Sequence, residues 1–293
     1  MILITHWDPD GIFCISIFYK KFGNDVKVYF SGPRIIEKTL IKAISENNKS
    51  EEVFITDIVP TQEAIYLSSY FKKATWIDHH IWDNMEVTSR VNLYRKEYKS
   101  AARVVAEFLN VDSKYLDFID DIDSNDIKNP LEKDFRDIVT GIRFFYPKSY
   151  GILFLDIAKK LSEDNNIESI IRNYETILNN FRDVLMKNED KIIMNTKIHK
   201  IGNTEVFFVK FNMNIPAFYV VETLQKRIKK DIDYIFILYD NRGEIRTTTG
   251  KNVLEIAKEL GGGGHKHAAG FQYLSENDLI EKINEIFKRK NIV

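Results

Sequence analysis

The chain has 293 residues, 44% hydrophobic and 29% charged, which is long for one domain, comfortable for two and ordinary for a globular protein. A single cysteine, Cys14, excludes a disulfide framework and points to a reducing, cytoplasmic setting. The net charge of −1 lacks the basic footprint of a long-duplex binder, and the apolar opening Met1-Ile2-Leu3-Ile4 is too short for a signal region or a membrane span.

Residues 2–5 predict a buried strand, followed by His6-Trp7-Asp8-Pro9-Asp10-Gly11 and an apolar helix over about 12–22. His6, Asp8 and Asp10 alternate, so three groups of metal-ligand type can point the same way. A helix cap, for which Asp10 would serve, needs only one of them. Gly11 lets the chain turn tightly into the helix. Residues 26–30 predict a second strand, 34–47 a helix, and 52–57 a third strand ending in Asp57. A helix over 61–71 has Pro60 at its start. The run 74–77 is a fourth strand that leads into Asp78-His79-His80. An acidic residue before two adjacent histidines is uncommon. Imidazole suits borderline transition metals, and a carboxylate beside it widens the choice toward Mn²⁺. Taken alone, the triplet also fits a polar loop. Strands alternating with helices predict an α/β fold with a mostly parallel, doubly wound sheet. Its strand ends would gather these residues in one crevice.

Residues 81–99 are less regular. Ser100 is a natural N-cap for a helix running to about 109. A helix over 115–121 runs into Asp120, Asp121, Asp123 and Asp126, a pattern more usual in a solvated turn. Two further helices fill 130–162, with Pro147 between them, and 163–166 is the expected break. Residues 1–165 carry 22 Lys and Arg against 26 Asp and Glu; residues 166–293 carry 20 against 17. The acidic half suits cations and the mildly basic half an anionic substrate. Helical spacing of apolar residues over 167–194 predicts one long amphipathic helix, a linker over 166–195 between a domain at 1–165 and a smaller α/β domain at 196–293. The second domain opens with a hairpin about Gly202-Asn203, then a helix over 217–229, a strand over 234–239, a turn at 241–243 and a returning strand over 244–249. After a helix over 252–260 come Gly261, Gly262, Gly263 and Gly264, then His265, Ala268, Ala269 and Gly270, and a last helix over 275–290. Four glycines in a row expose backbone N–H groups, as in loops that cradle phosphates.

His6-x-Asp8-x-Asp10-Gly11, Asp57, Asp78-His79-His80 and the Gly262-Gly263-Gly264-His265-x-x-Ala268-Ala269-Gly270 run together resemble the DHH phosphoesterase superfamily with its type-1 associated C-terminal domain. The resemblance spans nearly the whole chain. That superfamily includes RecJ-like exonucleases, nano-RNases, hydrolases of linear or cyclic dinucleotides and phosphoadenosine phosphatases. Family II pyrophosphatases have a different second domain, so the glycine–histidine motif argues against them. The length argues against a bacterial RecJ. The segments 119–125 and 134–145 look most like the compact nano-RNase B branch and its archaeal relatives.

The resemblance implies two divalent cations, Mn²⁺ preferred, with Mg²⁺ or Co²⁺ as substitutes. His6 and Asp8 would hold one and Asp10, His79 and Asp123 the other, with Asp120 the fallback for Asp123. Asp57 would bridge. Asp78, in the catalytic group with Asp57, His79 and His80, would orient a histidine. His80, Ser100, Arg246, Thr247, Gly262, Gly263, Gly264 and His265 would contact substrate. Two cations would activate a water and offset charge at phosphorus, so no protein nucleophile is needed and Cys14 is a buried apolar residue. The implied activity is hydrolysis of short oligonucleotides or dinucleotides to mononucleotides. A RecJ-like exonuclease on longer single strands is the alternative, and a catalytically inactive scaffold a distant third. The expected partner is a short single-stranded nucleic acid or dinucleotide, with no membrane; a homodimer is compatible.

Overall fold

Five short apolar strands build the sheet that positions the candidate site: β1 (Ile2–Thr5), β2 (Lys27–Phe30), β3 (Glu52–Thr56), β4 (Lys73–Asp78) and β5 (Val91–Arg95). They pair in the order β2-β1-β3-β4-β5, every pair parallel. The helices α1 (Pro9–Phe22), α2 (Ile36–Glu46) and α3 (Gln62–Ser68) connect the first four strands. This is a computed structural model that describes all residues except Asp83, Asp164, Asn165, 212–214 and Val293, so two residues of the expected break at 163–166 lie outside the described residues. The chain divides into two compact units, 1–181 and 182–293.

Alternation along the strands explains why helices cover both faces of the sheet. Leu3, Phe54 and Ile77 join a core with Ile12, Phe13 and Ile17 of α1. Ile2, Ile4, Val53, Ile55 and Trp76 join another with Ile36 and Leu40 of α2 and Ala64 and Ile65 of α3. The strand order reverses between β1 and β3, so the crevice of a doubly wound sheet lies beyond their carboxyl ends. The strand β5 was not legible in the irregular stretch 81–99. It is an edge strand with only Val91 buried, so its sequence lacks the apolar run that marks the central strands.

The first unit continues with α4 (Ala101–Leu109), α5 (Leu116–Asp123), α6 (Pro130–Phe145), α7 (Tyr150–Ser162) and α8 (Ile167–Asn173). The expected long helix over 167–194 is two helices, because α9 (Glu175–Met194) starts afresh after Tyr174. The Tyr174 hydroxyl donates to Asp156 of α7 at 2.6 Å, and its N–H closes a tight turn onto the Ile171 carbonyl. Tertiary anchoring of one side chain thus breaks a run whose apolar spacing continues through it.

The second unit holds β6 (Thr196–Ile201), β7 (Thr204–Lys210), α10 (Ala217–Ile228), β8 (Tyr234–Leu238), β9 (Arg242–Arg246), α11 (Leu254–Glu259), β10 (Gly263–His265), β11 (Ala268–Gln272) and α12 (Glu276–Arg289). The strands form one mixed sheet in the order β10-β11-β9-β8-β7-β6. The returning strand β9 starts two residues earlier than its sequence suggests, and 247–249 lie beyond it.

Candidate functional site

The carboxyl ends of β1, β3 and β4 release the polar residues that the sequence singles out. After β1, His6 leads into Asp8, which caps α1: its Oδ1 accepts from Gly11 N–H at 3.0 Å, with Pro9 in the first turn. The cap is therefore Asp8, not Asp10. Gly11 is obligatory for a packing reason, since a Cβ there would stand 2.0 Å from the His6 carbonyl oxygen. Asp8 Oδ2 faces His6 Nδ1 at 2.6 Å. Asp10, fully buried in the first turn of α1, accepts from Ala101 and Ala102 N–H at 2.6 and 2.8 Å. The N-terminus of α4 thus fixes its carboxylate, as helix N-termini fix anions.

Asp57 follows β3 with φ at 57°, a left-handed conformation that Asp tolerates better than most residues. It is 4% exposed, and its two oxygens face different partners. Oδ2 lies 3.7 Å from His6 Nδ1, and Oδ1 lies 3.9 Å from His79 Nε2. His79 Nε2 in turn lies 3.4 Å from Asp123 Oδ2. His79 Nδ1 donates to the Tyr98 carbonyl at 3.2 Å, which leaves Nε2 as the unprotonated, ligating nitrogen. Three ligand groups result, each with atoms within 4.8 Å of one another: His6, Asp8 and Asp57; Asp10, His79 and Asp123; and Asp57, Asp78, His79 and His80.

Asp78 is 1% exposed and accepts three hydrogen bonds. Its Oδ1 takes His79 N–H and His80 Nδ1–H, both at 2.8 Å, and its Oδ2 takes the indole N–H of Trp82 at 2.8 Å. Trp82 escaped the sequence reading. Its only signal was an aromatic donor four residues after Asp78, and a single N–H leaves no pattern.

Electrostatics test whether these residues fit divalent cations. Burial, and next the charge of Asp8, push the Asp10 carboxyl up to about 8. Burial and the neighbouring carboxylates hold Asp57 and Asp123 well above the carboxylate range. Burial works against ionised Asp8 too, but the His6 imidazole outweighs it and holds Asp8 below that range. Burial and His80 lower His79. Burial opposes the charged form of His80 as well, yet the bond to Asp78 raises it. Crowded carboxylates with this much mutual repulsion are what positive ions relieve. Asp57 Oδ2 and His79 Nε2 are also buried without a hydrogen-bond partner, a costly state unless something else ligates them. Mixed imidazole and carboxylate donors suit Mn²⁺ and its neighbours. The residues therefore fit metal.

Two expected residues do not join this group. Asp120 turns away to Arg103 Nε at 2.6 Å and Ser100 Oγ at 2.5 Å. Ser100 is fully buried, its hydroxyl taken up by Asp120 and by capping Arg103 N–H, so it offers no surface for substrate. Cys14 is buried, with its thiol pushed up by burial, and is inert.

In the second unit, the four glycines are not a single open loop. Gly261 and Gly262 donate to the Lys258 and Ala257 carbonyls at 3.0 and 2.8 Å, the Schellman closure of α11. Gly261 takes φ at 74° for that turn. Gly263 and Gly264 belong to β10 and pair with β11. One rung of the sheet aligns His265, Ala268 and Arg246 on three adjacent strands. Their side chains share a face, with only the small Ala268 between the two polar ones. Arg246 bonds Glu244 at 2.7 Å, while its Nε is buried without a partner. Thr247 follows at the strand end, its hydroxyl 3.2 Å from that of Thr249.

A parallel sheet whose strand ends converge on acidic and imidazole side chains, followed by a unit with a glycine–histidine edge strand, defines a two-unit α/β protein with a candidate metal centre. Residues 213–289 match the family model described as the DHHA1 domain. No curated protein matches the sequence. Among solved structures, the pGpG-specific phosphodiesterase PggH from Vibrio cholerae is similar at 15% identity and a TM-score of 0.64, over 99% of each chain. The DHH domain of a member of the s1p family of ribosomal proteins is similar at 17% identity and a TM-score of 0.71, over 98% of this chain and 86% of that one. RecJ from Thermus thermophilus, in complex with Mn²⁺, is similar at 12% identity and a TM-score of 0.60, over 98% of this chain and 52% of that one. Residues 213–289 are thus a DHHA1 domain, and the chain as a whole shares the two-unit α/β fold of these structures. No helix among the described residues is long and apolar enough to cross a membrane.

Proposed function

We propose that the protein is a metal-dependent phosphodiesterase that hydrolyses dinucleotides or short oligonucleotides to mononucleotides. The observation that carries this reading is Asp57, whose two oxygens face two separate ligand groups, one of them buried without a hydrogen-bond partner. In this reading His6 and Asp8 would hold one cation, Asp10, His79 and Asp123 the other, and Asp57, which faces both groups, would serve the two. When bound, the cations supply an activated water and offset charge on the phosphorus oxygens. The chain's own residues do the rest. The α4 N–H groups hold Asp10 in its ligating orientation. Asp78 keeps the proton of His80 on Nδ1, which turns Nε2 toward substrate. In the second unit, Arg246 and His265 bind phosphate on the face they share, with Thr247 beside them.

Similarity to PggH over 99% of both chains supports a small nucleotide substrate. Crowded acids and the near-neutral charge favour short substrates over a long single strand, which calls for a basic, aromatic-lined channel. The test is a length series of 5′- and 3′-labelled RNA and DNA, from dimers to 24-mers, with Mn²⁺. Fastest turnover at the dimer supports the reading, and cleavage confined to the longest strands sinks it.

A further inference from the structure

Trp7 stands between two residues of the ligand cradle, His6 and Asp8, and none of the roles above uses it. Its ring lies against the backbone of Gly32, where a Cβ would come within 2.6 Å of the indole. It is tilted at 34° to the His6 imidazole, with ring centroids 5.1 Å apart. Over it lies Arg143, from the last turn of α6, with its guanidinium carbon 5.2 Å from the ring centroid. Arg143 keeps exposed surface, but partial burial of its guanidinium lowers its pKa, with the charge of Asp8 acting against that, and it pairs with no carboxylate among the described residues.

That combination is unusual in so acidic a neighbourhood. An arginine beside carboxylates normally forms a forked ion pair with one of them. Here the guanidinium sits within cation–π range of the indole, and its N–H groups stay available. The contact restrains the side chain, so less order is lost when an anion binds. In the phosphodiesterase reading the cations would hold the phosphate being cleaved. The guanidinium rests on the indole of the residue between His6 and Asp8 and feels the charge of Asp8, so it stands beside that cradle.

We infer that Arg143, laid over Trp7, binds a second phosphate of the substrate, one that is not being hydrolysed. The inference rests on the phosphodiesterase reading. It adds that the first unit itself prefers substrates with a further phosphate, apart from the Arg246 face of the second unit.

The test compares dinucleotides bearing no terminal phosphate, a 5′-phosphate or a 3′-phosphate. Their binding is measured by titration calorimetry with Ca²⁺ in place of Mn²⁺, so that no turnover is required. The wild-type protein should bind one phosphorylated form about 10-fold or more tightly than the bare dinucleotide. Arg143→Ala should abolish that margin and Arg143→Lys, which keeps charge without the fork, should keep part of it. Melting temperatures of both variants report folding. No margin in the wild type overturns the inference, as does a margin kept by Arg143→Ala. Loss of the margin in Arg246→Ala alone would place the terminal phosphate on the second unit and also overturn it. Parallel assays with Mn²⁺ separate the two claims: a wild type that binds with the margin yet hydrolyses nothing defeats the phosphodiesterase reading and leaves the Arg143 site standing.

Discussion

Asp57 combines two demands at one position, a carboxylate whose two oxygens face different ligand groups and a backbone in the left-handed region. Asn meets the second demand and fails the first, so Asp57→Asn isolates the charge without disturbing the turn. It should lower kcat on a dinucleotide by about 10³-fold, with the melting temperature kept, because the loss is of transition-state stabilisation. A variant with a tenth of the wild-type rate would remove Asp57 from the bridge. Asp10 gives a prediction in pH. Its carboxyl in the folded, metal-free protein is pushed up to about 8, against about 4 in an unfolded chain. A group whose pKa is raised by folding contributes stability that is full below the unfolded value and is lost as pH rises toward the folded one. In chelator, therefore, the melting temperature should fall between about pH 4 and pH 8, against the usual trend for paired carboxylates. Asp10→Asn should flatten that fall. An unchanged slope in the variant would assign it to other groups.

The elements most legible in the sequence were those whose apolar run stops at a charged residue. Ile2–Thr5, Glu52–Thr56 and Lys73–Asp78 are buried from both faces, and each ends where a ligand begins. The candidate ligands that the structure brings together were legible for the same reason, since His6, Asp8, Asp10, Asp57 and His79 stand at strand ends or in the first turn after one. What the sequence hid depends on single partners. Val91–Arg95 has one solvent-facing side and no long apolar run. Tyr174 breaks a helix through one hydroxyl bonded to Asp156. Asp120 and Asp123 differ only in which way α5 turns them, and Arg103 decides it. The four glycines read as a phosphate cradle, yet the first two close α11. Gly261→Ala forces a side chain into a left-handed position and should cost about 1 kcal/mol, read as a lower melting temperature with dinucleotide KM little changed. A large rise in KM with stability intact would place Gly261 in the substrate site beside Gly262.

At the scale of the molecule, the two units carry separate cores, and each holds a different part of the proposed chemistry. All the candidate ligands belong to residues 1–181. Scanning calorimetry with increasing Mn²⁺ should therefore move only the transition of that unit, by about 2.7 kcal/mol at a hundredfold excess over Kd. Equal movement of both transitions would mean that the units unfold together. Arg246→Ala should act through binding, raising dinucleotide KM about 10- to 150-fold for a lost contact of about 1.5–3 kcal/mol. The loss should shrink as the oligonucleotide lengthens and other contacts accumulate. An effect of the same size on a generic diester with no chain end would argue for a role in chemistry instead.

The order of the sheet carries one more consequence, for the newly made chain. The candidate ligands run from His6 to Asp123 on α5, and they meet only when β1, β3 and β4 lie side by side. Closing so long a stretch is entropically unfavourable until the strands pair. In the two-cation reading, a nascent chain would lack the Asp123 ligand until α5 has left the ribosome. Metal capture would then come late, after β1, β3 and β4 have paired.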